Sequence, residues 1–345
     1  MIKDFEFKNK DLNIYKNEIK DFIPDEIIDN HIHIWQKNNI KIEKKDYKKY
    51  KSYKPWTDFD FINEFTYEDF FTYTNIIFPG KKYTGIFFGA PFETMDINKT
   101  NQYVINCARK NNLFFLYIPS PTEDIFLTDK KLALTQDKKF LGFKPYPDLA
   151  GIENNEISIF EFLNENVLKC ANENNLMIIL HIPRKQKLND ERNIAEIDII
   201  LKKYKNIKLI LAHSGRSFCF SDIENNIDKI KHYENIFFDI AFINEYRVFE
   251  LLVKKVDISK IIYGSDSPLA LIKGKDVCIN KKHYYVTNKL YEWGLGPLNQ
   301  DLTDFTLFIY EEIISLLDSI KKIKPRKLDT YVSKIFYNNF KNLII

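Results

Sequence analysis

The chain contains six histidines, and four of them close short apolar runs. His31 and His33 end EIIDNHIHI, His181 ends LMIILHIP, and His213 ends IKLILAHSG. Lys144 follows FLGF, and Asp266 lies in KIIYGSDSP. In a strand, residues i and i+2 face one side, so His31 and His33 face together while Ile32 turns away. Adjacent imidazoles, a third histidine and a carboxylate make a shell for a divalent cation. That mixture of nitrogen and oxygen suits Zn²⁺ first, with Mn²⁺ or Fe²⁺ as alternatives. A single strand-end histidine is an ordinary polar residue. The ordered series from His31 to Asp266 is what points to a metal.

These residues need a scaffold that brings distant strand ends together. Eight apolar runs, at 26–34, 83–91, 113–121, 140–147, 176–183, 207–215, 236–243 and 260–268, have the length and Ile/Leu/Phe content of buried parallel strands. Between them, apolar stripes of helical spacing recur, as in Ile194, Ile197, Leu201 and Tyr204, or Ile309, Ile313, Leu316 and Ile320. Several helical segments end in RKNNL, NENNL, KYKNI or HYENI, where Asn suits a left-handed C-cap. About eight strand–helix units predict an α/β fold, a (β/α)8 TIM barrel. An open doubly wound sheet would want a Gly-rich loop after its first strand, and none is present. Two insertions, residues 36–75 after strand 1 and 273–300 after strand 8, fall on the C-terminal face as a lid or as plain loops. The expected organisation is one domain over residues 1–345.

The motifs DNHIHIW, GFKPYP, LHIP, LAHSGR and YGSDSP, in this order, resemble the amidohydrolase superfamily. Within it they are similar to the amidohydrolase-2 branch, which includes aminocarboxymuconate-semialdehyde decarboxylase, resorcylate-type decarboxylases and several lactonases. The C-terminal KIFYNNFKNLI resembles the branch's closing helix, with Asn339 in its Asn position but without the usual Gly before it. The likeness runs from about residue 25 to the end. It implies His31, His33, His181 and Asp266 as metal ligands, Asp266 also as a base, and His213 as a catalytic residue beside them. It implies one divalent metal. The alternative is a pair of ions bridged by carbamylated Lys144, with His181 and His213 on the second ion.

Such a site hydrolyses an ester, lactone or amide through an activated water, or removes a carboxylate without oxidation. A barrel that binds without catalysis is the third reading. Only six arginines occur, at 109, 184, 192, 216, 247 and 326. Arg184 and Arg216 each lie three residues beyond a site histidine. Arg216 is read equally as a contact to a substrate carboxylate and as a structural ion pair; Arg184 is read as structural. Lys144, where it is not a bridge, is a substrate contact. A triad through Ser214 or Ser217 has no nucleophile elbow to support it. Trp35, Trp56 and Trp293 stack on a substrate ring or fill the core. Asp239 faces the site or caps backbone.

The net charge of +3 is close to balance for 345 residues and gives no reason to expect nucleic acid or a membrane surface as partner. The expected partner is a small-molecule substrate, and a homodimer is compatible with the chain. The four cysteines are widely spaced and form no CxxC pair. No run approaches a membrane span, and the N-terminus carries no apolar signal segment. Reduced thiols and a cytoplasmic location are the expectation.

Overall fold

In a computed structural model of the chain, residues 2–3, 5–43, 62–123, 133–151, 156–291, 293–296 and 304–344 are described. Eight parallel strands pair in sequence order: β1 (Glu26–His33), β2 (Lys82–Phe88), β3 (Phe114–Tyr117), β4 (Phe140–Phe143), β5 (Met177–Leu180), β6 (Lys208–Leu211), β7 (Ile236–Asp239) and β8 (Ile261–Ile262). The ring closes beyond the short β8. The Asn30 N–H donates to Tyr263 O, Asp266 N–H to His31 O and His33 N–H to Ser267 O, at 3.0–3.1 Å. The expected (β/α)8 barrel is the observed architecture, with helices such as Tyr67–Ile77, Ile97–Asn111, Glu191–Lys203 and Tyr246–Lys255 outside.

Strand alternation splits the apolar residues into two clusters. Ile28, Ile86, Phe88, Leu116, Met177, Ile179, Ile210 and Ile262 fill the barrel interior. The intervening Phe87, Phe115, Ile178, Leu209 and Phe238 pack with the helices. Phe340 and Leu343 join the interior cluster, so the C-terminal segment plugs the barrel floor. Asn339 fixes it there, its Nδ2 donating to the carbonyls of Ile258 and Ile261 at 2.6 and 2.7 Å. Gly142 sits at φ 146° where β4 crosses β5, and a Cβ there would stand 1.9 Å from Met177 O.

The Asn-rich helix ends divide. Asn112 and Asn175 adopt positive φ as expected. KYKNI and HYENI instead close without a left-handed Asn, the helix of the former capped at Tyr204 with negative φ. Of the first insertion, residues 36–43 and 62–75 are described. They place Trp35 antiparallel to Phe65 and lead into the helix Tyr67–Ile77. Trp56 lies outside the described residues, as do 44–61 and 297–300. The second insertion forms an antiparallel hairpin, β9 (Gly274–Ile279) and β10 (Lys282–Thr287). Among the described residues no helix is long and apolar enough to cross a membrane.

The expectation of reduced, unpaired thiols is corrected for two cysteines. Cys219, after β6, and Cys278, on the hairpin, form a disulfide across 59 residues of sequence. The hairpin folds back over the β6 loop, and sequence spacing carried no sign of that approach. Cys107 and Cys170 form no disulfide among the described residues.

Candidate active site

His31 and His33 reach the barrel mouth through a backbone irregularity. The β1–β2 register shifts between Asp29 and Ile32. Ile28 faces the interior, so strict alternation would carry Ile32 inward and both histidines outward. The shift reverses the parity: Ile32 packs into the helix-side cluster, and both imidazoles turn to the mouth. Asp29 holds this segment. Its Oδ1 accepts from the N–H groups of His31 and Ser265, and its Oδ2 from the Tyr83 hydroxyl, each at 2.9 Å. Gly264 permits the chain after β8 to lie close by, since a Cβ there would meet His31 Cβ at 2.8 Å.

Each imidazole is oriented through Nδ1. His31 Nδ1 lies 2.9 Å from Asp239 Oδ2, and His33 Nδ1 lies 2.9 Å from Gly89 O. A carbonyl only accepts, so His33 carries its proton on Nδ1. The Asp239 carboxylate fixes the same tautomer at His31. Both Nε2 atoms are thereby left to the site, 3.4 and 3.3 Å from Asp266 Oδ1. Outer partners of this kind set ligand orientation in metal sites. Asp239 does both things weighed for it in the sequence. It faces the site through His31, and its Oδ1 accepts from the backbone N–H of His213 at 2.6 Å and of Ala241 at 3.2 Å.

The β6 loop makes an unusual turn, with positive φ at four successive residues from His213 to Arg216. His213 Nδ1 donates to Ala241 O at 2.7 Å, and its ring stands 5.0 Å from that of His31. His181, 5.4 Å from the His213 ring, has a buried Nδ1 with no partner among the described residues. Burial pushes the imidazoles of His31, His181 and His213 below the ordinary value. Burial opposes ionisation of Asp266, yet the adjacent His33, His31 and His213 more than offset it. Its carboxyl is held below the usual range. Neutral imidazoles around an ionised carboxylate are the protonation state a divalent cation needs.

The donors of His31, His33 and Asp266 lie within 4.8 Å of one another and are buried. They fit a divalent cation. His181 stands outside that trio but borders the same cavity, of roughly 220 Å³, and so do His213 and Arg216. Lys144 is buried beside the Nε2 edge of His31 and is absent from the cavity wall. Its Nζ is 3.3 Å from His31 Nε2, and burial lowers its pKa to about 8. Arg184 is structural, its guanidinium meeting Glu196 twice at 2.7–2.9 Å and Asn193 at 2.7 Å. Arg216 donates to Ile182 O at 3.2 Å, and no carboxylate reaches it within 4 Å among the described residues. The Ser214 and Ser217 hydroxyls donate to backbone carbonyls, which removes them as nucleophiles. Trp35 lines the cavity; Trp293 packs on Tyr291 instead.

The sequence singled out neither His283, Tyr285 nor Tyr146, all of which line the cavity. The only trace was a histidine two residues before a tyrosine in the second insertion, which puts both on one face of a strand.

The family model described as Amidohydrolase matches residues 28–274. The chain belongs to the amidohydrolase family. It is similar in fold to 5-carboxyvanillate decarboxylase from Novosphingobium aromaticivorans, solved with manganese and 4-hydroxy-3-methoxy-5-nitrobenzoic acid. The TM-score is 0.56 at 10% identity, covering 92% of this chain and 95% of that one. 4-Oxalomesaconate hydratase from Rhodopseudomonas palustris gives 0.54 at 12%, covering 92% and 95%. Amidohydrolase 2 from Bifidobacterium longum subsp. infantis gives 0.53 at 12%, covering 92% and 98%. A comparison with curated proteins finds no match. Family membership implies metal-dependent catalysis, and the trio of His31, His33 and Asp266 is a candidate place for the metal.

Proposed function

We propose that this amidohydrolase hydrolyses a small ester, lactone or amide bearing a carboxylate. His31, His33, His181 and Asp266 would hold one divalent ion, Zn²⁺ first and Mn²⁺ or Fe²⁺ as alternatives. A bound divalent ion supplies Lewis acidity, polarising a carbonyl and acidifying water. The observation that carries the choice of hydrolysis is the His213–Ala241 hydrogen bond. The carbonyl of Ala241 requires the proton on Nδ1, so Nε2 offers a lone pair. That suits removal of a proton from water as its oxygen adds to the substrate carbonyl. The same proton then passes from Nε2 to the leaving oxygen or nitrogen as the carbon–heteroatom bond breaks. Arg216, at the cavity wall and with no carboxylate within 4 Å among the described residues, takes the substrate carboxylate. The cavity of roughly 220 Å³ is below the usual range for drug-sized ligands, which limits the substrate to a small molecule.

Non-oxidative decarboxylation is the alternative. It requires a proton delivered to carbon, and the tautomer at His213 favours acceptance instead. The zinc-loaded protein, incubated with panels of carboxylated lactones and esters and of carboxylated phenols, distinguishes the two. We expect acid release from the first panel. Carbon dioxide from the second, with no hydrolysis of the first, overturns the hydrolytic reading. Metal content of two ions per chain with a carbamate on Lys144 overturns the single-ion reading.

A further inference from the structure

The β9–β10 hairpin presents one face to the barrel mouth. Asp276 pairs with Tyr285 and Cys278 with His283 across the ladder. Directly opposed residues share a face, as do residues two apart, so all four point the same way. His283 and Tyr285 line the cavity. Asp276 lies behind them, wholly buried, with Oδ1 2.9 Å from His283 Nε2. The geometry is that of an ion pair more than of a well-directed hydrogen bond. Burial raises the Asp276 carboxyl, and the adjacent His283 opposes that rise. His283 Nε2 is buried. The accessible remainder of a side chain that is 12% exposed therefore borders the cavity.

The position of His283 relative to the metal donors follows from the rings. Phe218 stands between, 5.2 Å from the His213 ring and stacked at 4.6 Å on His283. Lys187 also lines this end, its Nζ 5.3 Å from the Phe218 ring, but it is paired with Asp222 at 2.7 Å. Arg216 is not so paired among the described residues. The disulfide joins the residue after Phe218 to the residue opposite His283, so hairpin and β6 loop hold the stack together.

We propose that the hairpin is a substrate-recognising cap in which His283, positioned by Asp276, works with Arg216 to bind an anionic carboxylate at the end of the substrate remote from the metal donors. The proposal rests on the metal-dependent reading for what lies at the near end, and it specifies substrates with oxygen-bearing groups at both ends. His283 contacts the substrate; Asp276 acts through it.

The test uses two inert probes, benzoate and isophthalate, titrated calorimetrically into the full zinc-loaded chain. Wild type is expected to prefer the dicarboxylate by about tenfold or more, the scale of one charge-assisted contact. His283→Gln and Asp276→Asn are each expected to abolish most of that preference while benzoate affinity and zinc content stay within about twofold. A purely structural role would weaken both probes alike, which overturns the proposal. Retention of the preference in both variants also overturns it, as does a wild type without preference. If zinc fails to bind yet the preference exists and is lost in the variants, the cap stands and the metal reading falls.

Discussion

Replacing Asp239 with Asn tests the site's logic most directly. The carboxylate makes two kinds of contact: Oδ2 takes the Nδ1 proton of His31, and Oδ1 takes backbone N–H groups of His213 and Ala241. An Asn side chain can keep its oxygen on the two backbone donors, which hold the β6 loop. Its NH₂ then faces His31 Nδ1 and must donate, so the imidazole shifts its proton to Nε2. That removes the lone pair aimed at the metal position. Outer-partner losses of this type cost about 10–100-fold in metal affinity, or roughly 1.4–2.7 kcal/mol. Zinc retained across a series of chelator-buffered free concentrations reads the affinity, and melting of the metal-free protein checks the fold. The expected result is a right-shifted zinc isotherm with a melting temperature of the metal-free form close to wild type. Wild-type affinity in Asp239→Asn refutes the orientation argument, and so does a loss seen only alongside unfolding.

Three further outcomes follow from the packing. Gly142→Ala forces a Cβ onto Met177 O at a backbone conformation that L residues rarely adopt. It is expected to cost about 2–4 kcal/mol in urea unfolding, and an unchanged midpoint would contradict the described β4–β5 approach. Burial raises the Glu312 carboxyl well above 4.5. The folded chain therefore keeps a proton the unfolded chain releases, and this group's stabilisation is full below that value and lost as pH rises. Glu312→Gln should gain stability relative to wild type on going from pH ~5 to ~8; a constant difference across that range rejects the assignment. Cys278→Ser opens the cross-link to Cys219 and should cost about 2–4 kcal/mol, with faster amide exchange confined to residues 274–287. Unaltered exchange in the hairpin argues against its being pinned there.

The parts of this molecule visible in its sequence are those encoded locally. Buried parallel strands are continuous apolar runs, so all eight strands and their order could be read, and His31, His33, His181, His213 and Asp266 were conspicuous as polar residues at their ends. The direction in which β1 side chains point was assumed correctly but for an incomplete reason, since the shift between Asp29 and Ile32 leaves no mark in composition. Contacts across long separations were not readable. Asp239 meets His31 across 208 residues, and Cys219 meets Cys278 across 59. Lys144 was placed at the right strand end, but its burial against the Nε2 edge of His31 depends on packing that spacing does not carry. His283 was seen only as a histidine in an insertion, because its role depends on which way the hairpin folds.

The β1 irregularity also bears on how such a centre could be transplanted. The triplet His31-Ile32-His33 works because the backbone changes phase just ahead of it. Copied onto an evenly pleated strand in the register of Ile28, the same three letters would send isoleucine into the cavity and bury two imidazoles under the outer helices. A designer borrowing this centre would need to carry over Asp29 as well, together with the Ser265 and Tyr83 groups that it ties down. The unit of inheritance is a kinked segment with its clamp.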